Sequence, residues 1–232
     1  MVLKLQDIDP ERDFPALARC LFESHETPPQ GFFHVFFPIN GEGDRAREDA
    51  IAEAAMRLKL WYTQDPTSKW LKVVDTETGR IAGAAIWKIH TENPFANRTH
   101  EEVTWFTDDG SRAFVEKAFE LHSVPRARAA QRAHLYYRRQ GVGQQCLDWG
   151  MNKADELGYE IFLESTFYWR PLYKTNGFIH IQEFVIHPET AVPDDKWMEI
   201  EEKVGVWRAW LMWRPVGGNY EEGKTLKPWE EA

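Results

Sequence analysis

The feature that most restricts the fold is the succession of a short apolar stretch, a glycine-rich turn, an amphipathic helix and a second apolar stretch within residues 134–165. HLYY is followed by RRQGVG, then by QQCLDWGMNKADELG, and then by YEIFLES. Gly158 is typical of a helix C-cap, and the inward stripe of the helix comprises Cys146, Leu147, Gly150, Ala154 and Leu157. This order predicts a β-α-β unit, in which a helix joins two parallel strands.

The rest of the chain predicts antiparallel strands and further helices. SKWLKVVDTETGRIAGAAIWKIH predicts a hairpin whose turn uses a positive φ at Gly79. The segments beginning at Asp13 and Asp44 predict helices, and Pro125 is expected to break a third helix or to start a new one. We therefore predict an α+β fold, with an early antiparallel hairpin, a late β-α-β unit and helices on both faces of a mixed sheet. Residues 1–215 are expected to form one domain and 216–232 a surface tail.

Charge and composition narrow the class of protein. The 232 residues carry a formal net charge of -9, which argues against a nucleic-acid surface. Two distant cysteines provide no disulfide framework, and a reducing, cytoplasmic setting fits them. No signal peptide or membrane span is evident, no residue is assigned to a metal, and nothing in the sequence sets the oligomeric state.

The glycine-rich turn predicts an anion site. Gly141 and Gly143 remove Cβ atoms that would keep an anion off the backbone, and the helix that follows presents its N-terminal amides. Arg138 and Arg139 add positive charge at the rim. A plain junction between a loop and a helix is the structural alternative, since R-x-x-G-x-G is a short pattern.

Four motifs taken together are more specific. They are R-R-Q-G-V-G, a helix ending in A-D-E-L-G, a strand ending in L-E-S, and P-L-Y-x-x-x-G-F. In this combination the chain resembles the GNAT superfamily of N-acetyltransferases, and the likeness is closest to the fungal and bacterial small-molecule type. The resemblance covers about residues 134–181. It implies acetyl-CoA as cosubstrate, with its pantetheine arm between two strands that splay apart. It also implies a pyrophosphate site at Arg138, Arg139, Gln140, Gly141, Val142, Gly143 and Gln144.

The same resemblance implies that Tyr173 protonates the departing sulfur while an amine attacks the thioester directly. A phenol is a proton donor at neutral pH, and packing of its helix is the structural alternative for this residue. The general base stays open. Glu164 is one candidate, although a polar strand end is the simpler interpretation. The other candidates are His122, His134, Glu101 and Glu102, while Cys146 is expected to be a buried structural cysteine.

One part of the pattern departs from the family. Only residues 133–137 precede Arg138 where a long strand is expected. The strand is then shortened to about five residues, or the fold is rearranged locally, or part of the strand has been deleted from the chain. The leading hypothesis is an N-acetyltransferase acting on a small-molecule amine, with a cationic group favoured by the acidic surface. Its apolar body would meet a groove of aromatic residues: Phe32, Phe33, Phe36, Phe37, Trp61, Tyr168 and Trp169. The alternative is a relative with impaired catalysis that binds CoA or a protein partner without turnover.

Overall fold

A computed structural model describes residues 2–96, 103–140 and 143–230, with the backbone alone for residues 138–140. The described strands form one sheet in the order β1-β2-β3-β4-β5-β7-β6. Only β4 and β5 are parallel neighbours; the other pairs are antiparallel. The strands are β1 (Leu3–Asp7), β2 (Ser68–Asp75), β3 (Ile81–His90), β4 (His134–Gln140), β5 (Glu160–Ser165), β6 (Ile179–Ile186) and β7 (Trp207–Arg214).

Helices cover both faces of this sheet, so the predicted α+β architecture is confirmed. The helices are α1 (Phe14–Glu26), α2 (Phe33–Phe36), α3 (Gly43–Gln64), α4 (Gly110–Ala129), α5 (Gly143–Leu157), α6 (Arg170–Thr175) and α7 (Asp195–Val204). One face of β3 packs against α1 and α3 through Ala84 and Ile86. The alternate residues Ala85 and Trp87 face α5, as the period of two in a strand requires.

The predicted β-α-β unit and the hairpin are both present. Helix α5 connects β4 to its parallel neighbour β5, and Gly158 ends the helix at a φ of 68°. In the turn between β2 and β3, Gly79 has a φ of 72° and donates its backbone N–H to the carbonyl of Asp75 at 2.8 Å. Glycine takes this conformation without the steric cost of a Cβ atom.

A close approach between α5 and the sheet depends on Gly150. Trp87 is fully buried beneath the helix, and its indole Nε1 donates to the carbonyl of Cys146 at 3.1 Å. A Cβ atom at position 150 would lie 1.9 Å from Cζ2 of this ring. The Trp87 indole thus occupies the space that a side chain at position 150 would need. This is why the inward-facing stripe of α5 has a glycine there.

Three features differ from the prediction. Helix α4 runs unbroken through Pro125, which is buried inside it. Strand β4 extends to Gln140, because Arg138, Arg139 and Gln140 continue its ladder with β3 opposite Ile86, Ala85 and Ala84. Helix α7 was not predicted; the side chain of Asp194 caps it by accepting from the backbone N–H of Trp197 at 2.7 Å.

The segment after β7 contacts the sheet. The rings of Tyr220 and Trp229 lie edge-on to the buried Trp213, with centroids 6.3 and 5.3 Å away. Within the described ranges, no helix combines the length and the apolar character needed to cross a membrane.

Candidate functional site

The parallel strands β4 and β5 part at the middle of the sheet. Their paired residues end at Tyr137 and Leu163, although β4 continues to Gln140 and β5 to Ser165. Beyond that point β4 remains paired with β3 on its other side. The two facing edges of β4 and β5 therefore enclose a gap in which backbone groups do not pair with each other.

A cavity of about 370 Å³ lies at this gap. Its lining includes Tyr136 and Tyr137 from β4, and Glu164 and Ser165 from β5. Because neighbouring residues of a strand point to opposite faces of a sheet, lining by both members of each pair means that the cavity reaches both faces. Tyr137 and Tyr173 line it on the α5 side of the sheet, and residues such as Leu21 and Phe33 line it on the side of α1 and α2.

Aromatic rings form much of the cavity wall. Of the seven aromatic residues predicted to line a groove, the structure places six there: Phe32, Phe33, Phe36, Phe37, Tyr168 and Trp169. The rings of the first segment also pack in the core, as in the edge-on contact of Phe22 with Phe33 at 4.9 Å. The prediction is wrong for Trp61, which does not line the cavity and instead lies 5.7 Å from the ring of Trp105.

Tyr173 lies in the cavity wall on helix α6. Its residue is 2% exposed, and its ring lies 6.3 Å from that of Tyr137 and 5.7 Å from that of Phe178. Both neighbours belong to the core on the α5 side of the sheet. The structure thus brings the predicted proton donor to the same cavity as the parted strands.

Glu164 is almost fully buried in the same wall. Its side chain is 5% exposed, and its Oε2 accepts from the hydroxyl of Tyr136 at 2.7 Å. The Arg126 guanidinium lies 3.3 Å from the same oxygen and stacks over the Tyr136 ring at 3.6 Å. The carboxylate is therefore enclosed and paired inside the cavity wall and is not a solvated strand end.

The residues predicted to bind the pyrophosphate span the end of β4 and the start of α5. Arg138, Arg139 and Gln140 form the last residues of β4, and Gly143 and Gln144 begin α5. Gly141 and Val142 lie outside the described residues. The Gln144 side chain exchanges hydrogen bonds with that of Asn176, of 2.9 and 3.2 Å, and so ties the start of α5 to the end of α6.

The remaining candidates for the general base differ in whether they line the cavity. His122 lines the cavity with its ring stacked on Trp207 at 4.9 Å. His134 lies away from the cavity lining; it is fully buried, and burial lowers its pKa to about 3. Cys146 is fully buried in the core, in agreement with the structural interpretation. Glu101 and Glu102 lie outside the described residues.

Sequence reasoning missed the wall that closes the cavity opposite the parted strands. His25 comes from the last turn of α1, Thr27 and Gln30 come from the connection between α1 and α2, and Trp207 and Arg208 come from β7. These residues lie far from the glycine-rich motif in sequence, so no local pattern marks them. Among the residues described here, no group of three or more His, Cys, Asp and Glu side chains is arranged to hold a metal ion.

Comparison with known proteins gives likenesses in structure alone. No protein-family model and no curated protein sequence matches this chain. A histone acetyltransferase HPA2-related acetyltransferase from Corynebacterium glutamicum matches with a TM-score of 0.51 at 16% identity, covering 96% of this chain and 99% of that one. A putative arylalkylamine N-acetyltransferase 7 from the yellow fever mosquito matches with a TM-score of 0.56 at 10% identity, covering 92% and 87%.

A third solved structure, the C-terminal condensation domain of Ebony in complex with beta-alanyl-dopamine, has a TM-score of 0.56 at 13% identity. It covers 93% of this chain and 100% of its own. At these identities the likeness establishes the fold. The chain has the GNAT fold of acetyltransferases, as the four motifs predicted.

Proposed function

We propose that this protein is an acyl-CoA-dependent N-acetyltransferase that moves an acetyl group from acetyl-CoA to the primary amine of a small molecule. The observation that carries the proposal is the parting of β4 and β5 over a cavity with Tyr173 in its wall. Because this cavity reaches both faces of the sheet, a thioester from one side and an amine from the other would meet inside it. The fungal or bacterial small-molecule type remains a prediction from the motifs.

The residues present fit acetyl-CoA. Strand β4 ends at Gln140 and α5 begins at Gly143, so the positive end of the helix dipole lies where a pyrophosphate would bind. The facing edges of β4 and β5 present backbone donors and acceptors that suit the amides of a pantetheine arm. When bound, acetyl-CoA supplies the thioester whose carbonyl carbon accepts the amine nitrogen.

Tyr173 is the proposed general acid. A phenol with an ordinary pKa of about 10 keeps its proton at neutral pH and can donate it to a departing thiolate. The residue is 2% exposed, so its hydroxyl acts in a site from which bulk water is largely excluded.

The cavity favours an amine with an aromatic or apolar body. Its wall carries the six predicted rings together with Trp207, and the net charge of -9 attracts a cation over long range. Two of the structural likenesses point in the same direction, since their names include an arylalkylamine acetyltransferase and a complex with beta-alanyl-dopamine.

Two measurements test the proposal. Titration calorimetry should show heat of binding for CoA, and free thiol should appear when acetyl-CoA is mixed with amines such as 2-phenylethylamine. Tyr173→Phe should lower kcat by about 10²-fold to 10⁴-fold, the usual contribution of a general acid, with CoA affinity unchanged. No binding heat at millimolar CoA would refute the proposal. CoA binding without thiol release above the water background would favour the non-catalytic relative.

A further inference from the structure

We propose that Glu164 and Thr166 bind the ammonium group of the acceptor amine and that Glu164 is the general base that takes its proton. This inference rests on the proposed acetyl transfer and names the residues that receive the second substrate. Two buried oxygen atoms at the end of β5 have no hydrogen-bond partner in the described part of the chain.

Glu164 is the fifth residue of β5, and Thr166 follows the strand by one position. Both residues line the cavity. The Oε1 atom of Glu164 and the Oγ1 atom of Thr166 are buried, and neither has a hydrogen-bond partner among the residues that the structure describes. A buried polar atom left without a partner costs about 1–3 kcal/mol, so two such atoms in one cavity wall indicate a ligand that donates to both.

The other carboxylate oxygen of Glu164 is already engaged. Oε2 receives the Tyr136 hydroxyl and the Arg126 guanidinium, which fix the orientation of the carboxylate. Oε1 is thereby left to accept from a ligand. An ammonium group has three N–H donors, so it can donate to Glu164 Oε1 and to the hydroxyl of Thr166 at once.

The surroundings specify what the ammonium group is attached to. Phe32 stacks on Trp207 at 5.7 Å, and Phe36 meets the same indole edge-on at 6.0 Å. These three rings line the cavity that contains Glu164. The matching ligand is a primary amine that carries an aromatic ring, of which 2-phenylethylamine is a simple probe.

The amine arrives as R–NH₃⁺, and Glu164 Oε1 takes one proton to leave a neutral nucleophile. The nitrogen lone pair forms the new C–N bond to the acetyl carbon while the C–S bond breaks. Tyr173 gives its proton to the sulfur and regains one from the nitrogen as the amide forms. Glu164 then releases its proton to solvent, so the sum is one amide, one CoA thiol and one H⁺.

The test compares Glu164→Gln with the matched control Glu202→Gln, whose side chain is exposed on α7. Glu164→Gln should lower kcat/KM for 2-phenylethylamine by about 10²-fold to 10⁴-fold, as expected for loss of a general base, while CoA affinity stays unchanged. The deficit should shrink as pH rises toward the pKa of the amine, because free amine then needs no base. It should also shrink for β,β-difluoro-2-phenylethylamine, whose ammonium group is more acidic.

A binding readout is independent of turnover. Calorimetry with 2-phenylethylamine alone should show at least tenfold weaker binding for Glu164→Gln and for Thr166→Val than for the wild type and Glu202→Gln. If Glu164→Gln does not fold, Glu164→Asp replaces it, and its retracted carboxylate should reduce kcat by at least tenfold.

The outcomes separate the two proposals. An active wild type, with Glu164→Gln at the level of Glu202→Gln in rate, pH profile and amine binding, overturns the Glu164 proposal and leaves acetyl transfer standing. A wild type that transfers no acetyl group to any amine overturns both. A deficit that is the same at every pH and for both amines also overturns the role as base, since a purely structural effect would have that form.

Discussion

Gly150→Ala should destabilise the protein, although alanine is the better helix former. In an exposed helix the exchange would stabilise by about 1 kcal/mol. Here the new Cβ would lie 1.9 Å from Cζ2 and 2.2 Å from Cε2 of Trp87. Carbon atoms pack best at about 3.5–4.0 Å, so the indole would have to withdraw by roughly 1.5 Å or more.

The indole has little room to withdraw. It is fully buried, and the Tyr137 ring lies 4.4 Å from it. Overpacking of this kind costs about 1–3 kcal/mol, and loss of the Nε1 hydrogen bond to Cys146 adds about 1–3 kcal/mol for an unsatisfied buried donor. After subtraction of the helix-propensity gain, we expect a loss of about 3 kcal/mol, or about 6–12 °C in Tm for a domain of this size.

Urea denaturation followed by circular dichroism measures the effect, with a lower midpoint and an unchanged m-value as the expected result. The control is the same exchange in a Trp87→Leu background, where leucine lacks the three ring atoms closest to position 150. There Gly150→Ala should be neutral or stabilising, which gives a coupling energy of at least about 2 kcal/mol in the double-mutant cycle. A Gly150→Ala variant as stable as wild type, or an equal loss in both backgrounds, would refute the packing argument.

Two further predictions concern buried charge. Glu160 is 1% exposed, pairs with Arg132 at 2.8 Å and accepts from Trp213 Nε1 at 2.7 Å. Glu160→Ala leaves the buried Trp213 N–H without its acceptor and should cost about 1–3 kcal/mol in urea denaturation. A loss below about 1 kcal/mol would contradict this. His134 has a folded-state pKa of about 3, below the ordinary value of about 6.5, so the unfolded state binds its proton first as the pH falls. The free energy of unfolding should fall between pH 6.5 and pH 3 by up to about 1.4 kcal/mol per pH unit. His134→Asn should flatten that slope. An identical slope in the variant would contradict the assignment of the pH dependence to His134.

Local patterns in the sequence predicted the elements that depend on local rules. The β-α-β unit follows from the helical stripe and its cap at Gly158, and the hairpin follows from Gly79. Helix α7 obeys the same rules, since Asp194 precedes Trp197, Ile200 and Val204 at helical spacing.

Two other differences depend on contacts that sequence patterns do not contain. Arg138 and its two successors form a strand because β3 offers them a ladder, which outweighs their polar composition. Helix α4 passes through Pro125 because the helix is buried on both sides of it, at Ala118 and Ala129, and one lost N–H is a smaller cost than abandoning that packing.

The candidate site was predictable in part. Tyr173 and the aromatic segment beginning at Phe32 line the cavity. A motif predicted the first, and the aromatic composition predicted the second. The environment of Glu164 could not be predicted from the sequence, because tertiary packing brings Arg126 and Tyr136 to it from 38 and 28 residues away. No pattern along one strand records such neighbours.

The insertion of β7 between β5 and β6 has a consequence for how the molecule assembles. The outer edge of β5 gains its partner from residues 207–214, which follow β6 in the chain. Synthesis runs from the N-terminus, so β5 and β6 are both made before the strand that lies between them. The strand that carries Glu164 is thus completed late, and an unpaired edge of this kind is a point at which a nascent chain is open to misassociation.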